Sequence, residues 1–187
     1  MYSVSDLKKG LKIEIDGEPY EVTEFQFVKP GKGQALYRCK IRNIINGGTV
    51  DRTYRASEKI DKANLEERDL VYSYKDANNY VFMDENYEQV LVDGGVIRNQ
   101  ELFMVEDLEC KVLFHNDRPI GVTLPNFIER TILDTEPGAR GDTATNVMKP
   151  AKVEGGYEIQ VPLFVNEGDI VRVDTRNGKY ADRVSKR

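Results

Sequence analysis

Apolar and polar residues alternate with a period of two along most of the chain, the pattern of half-buried β-strands. Tyr20-Glu21-Val22-Thr23-Glu24-Phe25-Gln26-Phe27 is the first long run. The turn Pro30-Gly31-Lys32-Gly33 follows, and Tyr37, Cys39 and Ile41 then alternate with Arg38, Lys40 and Arg42. Asn46-Gly47-Gly48 reads as a second hairpin turn, because Asn and Gly tolerate positive φ. Val50 to Arg55 returns as a further strand, so the first third is expected to be a small curled antiparallel sheet.

The middle third has strands at Leu70–Tyr74 and Tyr80–Met83 around the turn Asp76-Ala77-Asn78-Asn79. Further runs are Gln89–Val92, Cys110–Phe114 and Ile120–Leu124, with a short helix expected between Asn99 and Val105. Five strands and one short helix in about 60 residues suit a small barrel of the oligonucleotide/oligosaccharide-binding (OB) type. Pro125-Asn126 marks a boundary, since proline disfavours a continuing ladder. The last third is expected to hold strands at Phe127–Leu133, Tyr157–Val165, Asp169–Asp174 and Tyr180–Val184, the last following the Asn177-Gly178 turn. A loop from Glu136 to Pro150 separates the first two of these, and a loop that long in a small domain is usually functional or mobile. The expectation is an all-β chain of three small β-barrel domains, 1–63, 64–126 and 127–187, packed on one another because units this small are marginal alone.

The chain has 187 residues, 40% hydrophobic and 32% charged, which fits a folded, water-compatible protein. No apolar run approaches the roughly 20 residues that span a bilayer. The N-terminal Met1–Gly10 lacks an apolar signal segment, so a cytoplasmic protein without membrane contact is expected; a monomer is expected as well. Cys39 and Cys110 form no Cys-x-x-Cys pair, and His115 is the only histidine. That argues against a zinc site and against Cys-His or Ser-His catalysis, although His115 could in principle act alone, and no cofactor is expected.

Net charge is −5, but it is unevenly spread. Residues 1–63 carry 12 Lys and Arg against 9 Asp and Glu; residues 64–126 carry 5 against 13; residues 127–187 carry 10 against 10. The basic first third suggests that one end of the molecule meets phosphate.

The most specific local feature is Val28-Lys29-Pro30-Gly31-Lys32-Gly33-Gln34-Ala35. Gly31 and Gly33 strip bulk from both sides of Lys32 and ease a tight turn. Pro30 stiffens the approach. Strands of about eight residues would carry the Lys32 ammonium roughly 25 Å from the domain base. Arg38, Lys40 and Arg42 share one face of the second strand and form a candidate phosphate track below the tip. Lys32 is not a phosphate-loop lysine, because the strand–Gly-rich–helix context is missing.

Phe27 to Ala35 resembles the lysine loop of the bacterial elongation factor P family. Leu11–Tyr20, Asp134–Gly138, Gly141-Asp142-Thr143, Lys149-Pro150-Ala151, Val161–Val165 and Val173–Arg176 are similar to the same family in the same order. A paralogous family of elongation factor P-like proteins usually lacks both the lysine loop and the Gly-Asp-Thr triplet. The resemblance implies an SH3-like (KOW-like) first domain and two OB domains arranged as an L. It implies binding to the ribosome beside peptidyl-tRNA, with rRNA and ribosomal proteins as partners, and relief of stalling at consecutive prolines. It places the working amine on Lys32, which a lysine-modifying enzyme would lengthen, and a messenger-facing role on Gly141, Asp142 and Thr143. On this view the chain is an accessory to the ribosome and not itself an enzyme.

Two other readings compete. A general single-strand binder would need stacking platforms and a basic groove in its OB barrels. The net −8 of the middle third weighs against that. An enzyme using Asp84-Glu85 or Glu106-Asp107 would need paired acids in a shielded site, whereas such pairs at strand ends are usually solvated turns.

Overall fold

A computed structural model describes residues 1–138 and 146–185. Nearly all regular structure in it is antiparallel strand, in three separate sheets. The all-β expectation holds.

The first sheet contains β1 (Tyr2–Ser3), β2 (Lys12–Ile15), β3 (Glu18–Val28), β4 (Leu36–Asn43), β5 (Thr49–Arg55) and β6 (Lys59–Lys62), in the order β1-β6-β2-β3-β4-β5. Its core is built on Val4, Leu11, Ile13, Val22, Ile41 and Ile60. The short strands β1 and β6 have no visible alternation. In β6 only Ile60 is buried, flanked by Lys59 and Asp61, and a single apolar position has no period to read. At the β4–β5 turn the Asn43 side-chain oxygen accepts from the amides of Ile45 and Asn46, and Gly47 takes φ 78°. The expected Asn-Gly-Gly turn is therefore closed by a buried Asn.

The second sheet contains β7 (Leu65–Asp76), β8 (Asn79–Met83), β9 (Gln89–Asp93), β10 (Glu109–His115) and β11 (Arg118–Thr123), in the order β11-β10-β7-β8-β9. Asn116 and Asp117 both take positive φ, which gives the β10–β11 hairpin the turn twist that suits right-handed strands. The expected helix at Asn99–Val105 starts earlier. A one-turn α-helix, α1 (Gly94–Ile97), runs into a 3-10 segment, Arg98–Phe103. Asp93 sets that start by accepting a 2.8 Å hydrogen bond from the Gly95 amide.

The third sheet contains β12 (Phe127–Thr135), β13 (Met148–Val153), β14 (Tyr157–Pro162), β15 (Ile170–Asp174) and β16 (Lys179–Ser185), in the order β14-β13-β12-β15-β16. The loop expected to run to Pro150 ends sooner, because Met148–Pro150 belong to β13. Pro150 is tolerated there because the ladder to β12 stops one residue on, at the Thr135↔Ala151 pair. The strand expected to continue to Val165 stops at Pro162, where a turn brings the Val165 amide back to the Pro162 carbonyl.

By internal packing the chain separates into two compact units, Met1–Arg68 with Leu113–Gly121, and Asp69–Val112 with Val122–Arg187. Within the first, buried His115 hydrogen-bonds the Glu14 carboxylate of β2 at 2.7 Å. Within the second, Phe103 meets the Tyr157 ring edge-on at 5.7 Å. The buried Arg130 guanidinium donates to the carbonyls of Phe103 and Glu129, both at 2.7 Å. Burial lowers the Arg130 pKa from its ordinary value and raises that of the Tyr157 phenol. Among the described residues no helix is long and apolar enough to cross a membrane.

Candidate functional site

The β3–β4 hairpin carries the site. Its register pairs Glu21↔Arg42 and Val22↔Ile41, then skips one residue to pair Glu24↔Lys40, Phe25↔Cys39, Gln26↔Arg38 and Phe27↔Tyr37. Thr23 is the extra residue of a β-bulge, and its hydroxyl donates to the Lys40 carbonyl at 3.0 Å. The bulge shifts the phase of alternation. Val22, Phe25 and Phe27 thereby share the core-side face, while Glu21, Glu24 and Gln26 share the other. From Thr23 to Val28 no residue of β3 is buried. At ~3.3 Å per residue that is a projecting shaft of roughly 20 Å.

At the tip, Lys32 is exposed, and among the described residues it has no hydrogen-bond or ion-pair partner. The two glycines beside it are not equivalent. Gly33 takes φ 134°, a region open in practice only to glycine. Gly31 shows no positive φ, and a Cβ built on it meets nothing within 4 Å. The turn therefore demands glycine at 33, whereas at 31 glycine only keeps the tip slim. Pro30 lies close to Gly33, with its Cγ 3.6 Å from where a Gly33 Cβ would stand.

Arg38, Lys40 and Arg42 do share one face, as their alternate spacing implies. Carboxylates on β3 oppose two of them. Glu21 bonds Arg42 at 2.8 Å and Lys12 at 2.8 Å, and Glu24 lies 3.6 Å from Lys40. The Lys12 hydrogen bond, then Arg42, holds the Glu21 carboxyl below the usual glutamate range. Arg38 is the member of this row without an ion pair among the described residues. With Gln26, Lys40 and Thr53 it lines a shallow polar hollow of about 510 Å³ on that face. The sequence signal for the neutralising acids was present in Glu21 and Glu24. Their odd spacing hid it, since without a bulge they would point to opposite faces.

The opposite face was not singled out from the sequence. Phe25 and Phe27 stand 39% and 51% exposed around Tyr37. Gly141, Asp142 and Thr143, the other sequence-level candidates, lie outside the described residues. Cys39 and Cys110 are buried free thiols. Burial pushes Cys39 up and Cys110 up to about 12, so neither offers a ready thiolate. Asp84 and Glu85 rim an open cleft of about 680 Å³ over Leu70, Met83, Cys110 and Leu124. Among the described residues no cluster of three or more His, Cys, Asp or Glu is placed to hold a metal.

Family models match three successive segments of the chain. They are the elongation factor P KOW-like domain over residues 3–60, the elongation factor P OB domain over 65–122, and the elongation factor P C-terminal domain over 128–183. One solved structure, described as eukaryotic translation initiation factor 5A from Methanococcus jannaschii, shares the fold at TM-score 0.55 and 22% identity. It covers 66% of this chain and 91% of that one. KOW-like and OB domains in this succession, led by a lysine-tipped hairpin, define a translation factor of the all-β kind.

Curated relatives narrow that class. Elongation factor P of Desulfosudis oleivorans is 48% identical over 187 residues, the full length of both chains. Elongation factor P 2 of Geobacter sulfurreducens is 49% identical over 185 residues, 98% of this chain and 99% of its own. The chain belongs to the elongation factor P family, and the class it falls in is a translation elongation factor, not a classical enzyme.

Proposed function

We propose that this chain binds the ribosome beside peptidyl-tRNA and stimulates peptide-bond formation at consecutive prolines, with the Lys32 amine as its working group. The observation that carries the reading is the exposed amine, without a partner among the described residues, at the end of a narrow, glycine-flanked shaft. Such a shaft enters a cleft that a whole domain cannot. In this reading the chain need not donate or remove protons. It acts by holding the peptidyl-tRNA in a reactive geometry, and positioning alone contributes several kcal/mol or more to a barrier. Proline is a poor donor and acceptor, so the aid matters most there.

In this reading Pro30, Gly31 and Gly33 shape the tip, and an enzyme that lengthens lysine side chains recognises it. Arg38, with Lys40 and Arg42, faces tRNA phosphate. Because Glu24 and Glu21 already engage Lys40 and Arg42, Arg38 contributes most of that contact. Gly141, Asp142 and Thr143 face messenger RNA. The working division is 1–63, 64–126 and 127–187, supported by the three sheets and the three matched segments. The protein works as a monomer in the cytoplasm.

The test is translation of a polyproline reporter. Lys32→Ala is expected to abolish stimulation while leaving stability within about 0.5 kcal/mol, as for most exposed substitutions. Lys32→Arg keeps the charge but cannot accept an amide-linked extension at the same nitrogen. Arginine failing as badly as alanine identifies modification as the requirement, and arginine retaining activity identifies charge. Full activity of Lys32→Ala refutes the reading.

A further inference from the structure

The open cleft rimmed by Asp84 and Glu85 has no part in the function proposed above. All of its lining residues belong to the unit Asp69–Val112 with Val122–Arg187. Its floor is apolar. Leu70, Cys110 and Leu124 are buried there, and Val71 pairs across the sheet with Met83, both half-buried. Its walls are held in place. Asp84 accepts from the amides of Asn86 and Glu88 at 2.8 and 2.9 Å, which fixes the turn after β8. Pro125 and Asn126 are pinned by Thr175, whose hydroxyl donates to the Pro125 carbonyl at 2.6 Å and whose amide donates to the Asn126 carbonyl at 2.9 Å. A cleft of about 680 Å³ with fixed walls is formed before any ligand arrives.

Size and charge narrow the occupant. The cleft is lined by 13 residues, against the roughly 20–30 that each side of a stable protein interface presents. Its volume falls in the range of about 300–1,000 Å³ usual for small-molecule sites. The rim carries Asp69, Asp84, Glu85 and Glu109 against one cation, Lys111. Lys111 bonds Asp69 at 3.0 Å, which neutralises that corner. Glu85 and Glu109 are exposed and have no partner among the described residues. Such a rim repels anions, nucleic acid included. A small, fully hydrated cation gains nothing from the apolar floor. The complement is an apolar body that displaces water from the floor and ends in an ammonium that stays at the wet, acidic rim.

We propose that this cleft binds a small amphipathic organic cation, its apolar body on Leu70, Val71, Met83 and Leu124 and its ammonium at the rim that Glu85 and Glu109 charge. The site does not rest on the reading above, because none of its residues lies on the β3–β4 hairpin, and either can fail alone.

The isotope-labelled full chain is titrated with phenylbutyl-trimethylammonium, and its amide shifts are followed by NMR. Phenylbutanol, phenylbutyrate and tetramethylammonium serve as controls that lack the charge, reverse it or lack the apolar body. Saturable shifts are expected at Leu70, Val71, Cys110 and Leu124. The ammonium probe is expected to bind several-fold more tightly than phenylbutanol, and the other two more weakly than either. Glu85→Gln/Glu109→Gln removes both unpaired charges from exposed positions and leaves the floor intact. It is expected to weaken the ammonium probe roughly fivefold, as two exposed charge pairs imply, and to leave phenylbutanol unchanged. Glu158→Gln/Glu167→Gln removes the same charge from exposed positions outside the cleft and is expected to change neither. No saturable shift, shifts that map elsewhere, equal affinity for ammonium and alcohol, or equal weakening by the two double variants overturns the site. So does a lysine-rich peptide that shifts these amides while the ammonium probe does not, since the cleft would then serve a protein.

Discussion

Replacing Gly33 with alanine, beside the same change at Gly31, isolates what the tip conformation is worth. At Gly33 the added methyl meets only the Pro30 Cγ, at 3.6 Å, which is ordinary contact. The whole cost is therefore backbone, from φ 134°. Holding a non-glycine residue in such a region costs about 1–3 kcal/mol. At Gly31 the methyl meets nothing and φ is not positive, so neither cost arises. The loss of freedom in the unfolded chain would then make Gly31→Ala neutral or stabilising by roughly 0.4–1 kcal/mol. Two measurements read this out, the urea midpoint of the full chain and stimulation of a polyproline reporter. Gly33→Ala has two ways to respond. It keeps the turn and lowers the midpoint by the strain, or it relaxes the turn, re-aims Lys32 and lowers the reporter signal. A Gly33→Ala protein unchanged in both measurements refutes the argument, as does a Gly31→Ala protein destabilised as much as Gly33→Ala.

Three further outcomes follow from the described geometry. Cys110, buried and with its pKa pushed up to about 12, should resist alkylation at pH 8 in the folded protein and react only once urea unfolds it; rapid labelling of the native chain would contradict the burial. Glu21, whose carboxyl is held below the ordinary value of 4.5, contributes stability that is fully present above about that pH and fades as pH falls through the lower folded value. Glu21→Gln should therefore cost at most about 1 kcal/mol near pH 7, discounted for its partial exposure, and flatten the acid limb of stability against pH; an unchanged limb would mean the pairs with Lys12 and Arg42 contribute nothing. Phe82, fully buried on β8 with its ring centroid 5.5 Å from that of Tyr72, should cost about 3–5 kcal/mol as Phe82→Ala, read from urea unfolding, and a loss below about 1 kcal/mol would show that its core position is wrong.

Period-two alternation and turn chemistry were enough to read the all-β class, most strands and the lysine-tipped hairpin from sequence. These are local properties: a strand half buried on one face must alternate, and a turn at positive φ must use Gly, Asn or Asp. Three features were not legible. The bulge at Thr23 falls where the alternation breaks at the adjacent polar residues Thr23 and Glu24, a break that does not by itself say how the partner strand absorbs it. Only the partner strand shows that Glu21 and Glu24 oppose Arg42 and Lys40, and that Phe25 and Phe27 line up with Val22. The single histidine, plain in isolation, becomes buried against Glu14, 101 residues away in sequence. Arg130, with the look of a solvated charge between Glu129 and Thr131, is buried with its guanidinium on the Phe103 carbonyl, 27 residues back. The sequence by itself determined where the chain extends, where it turns and which amine stands at the tip, because those choices are set by a few neighbouring residues. Only the tertiary structure decided which side chains share a face and which charges are already paired, because register and burial belong to segments that meet in space without being adjacent along the chain.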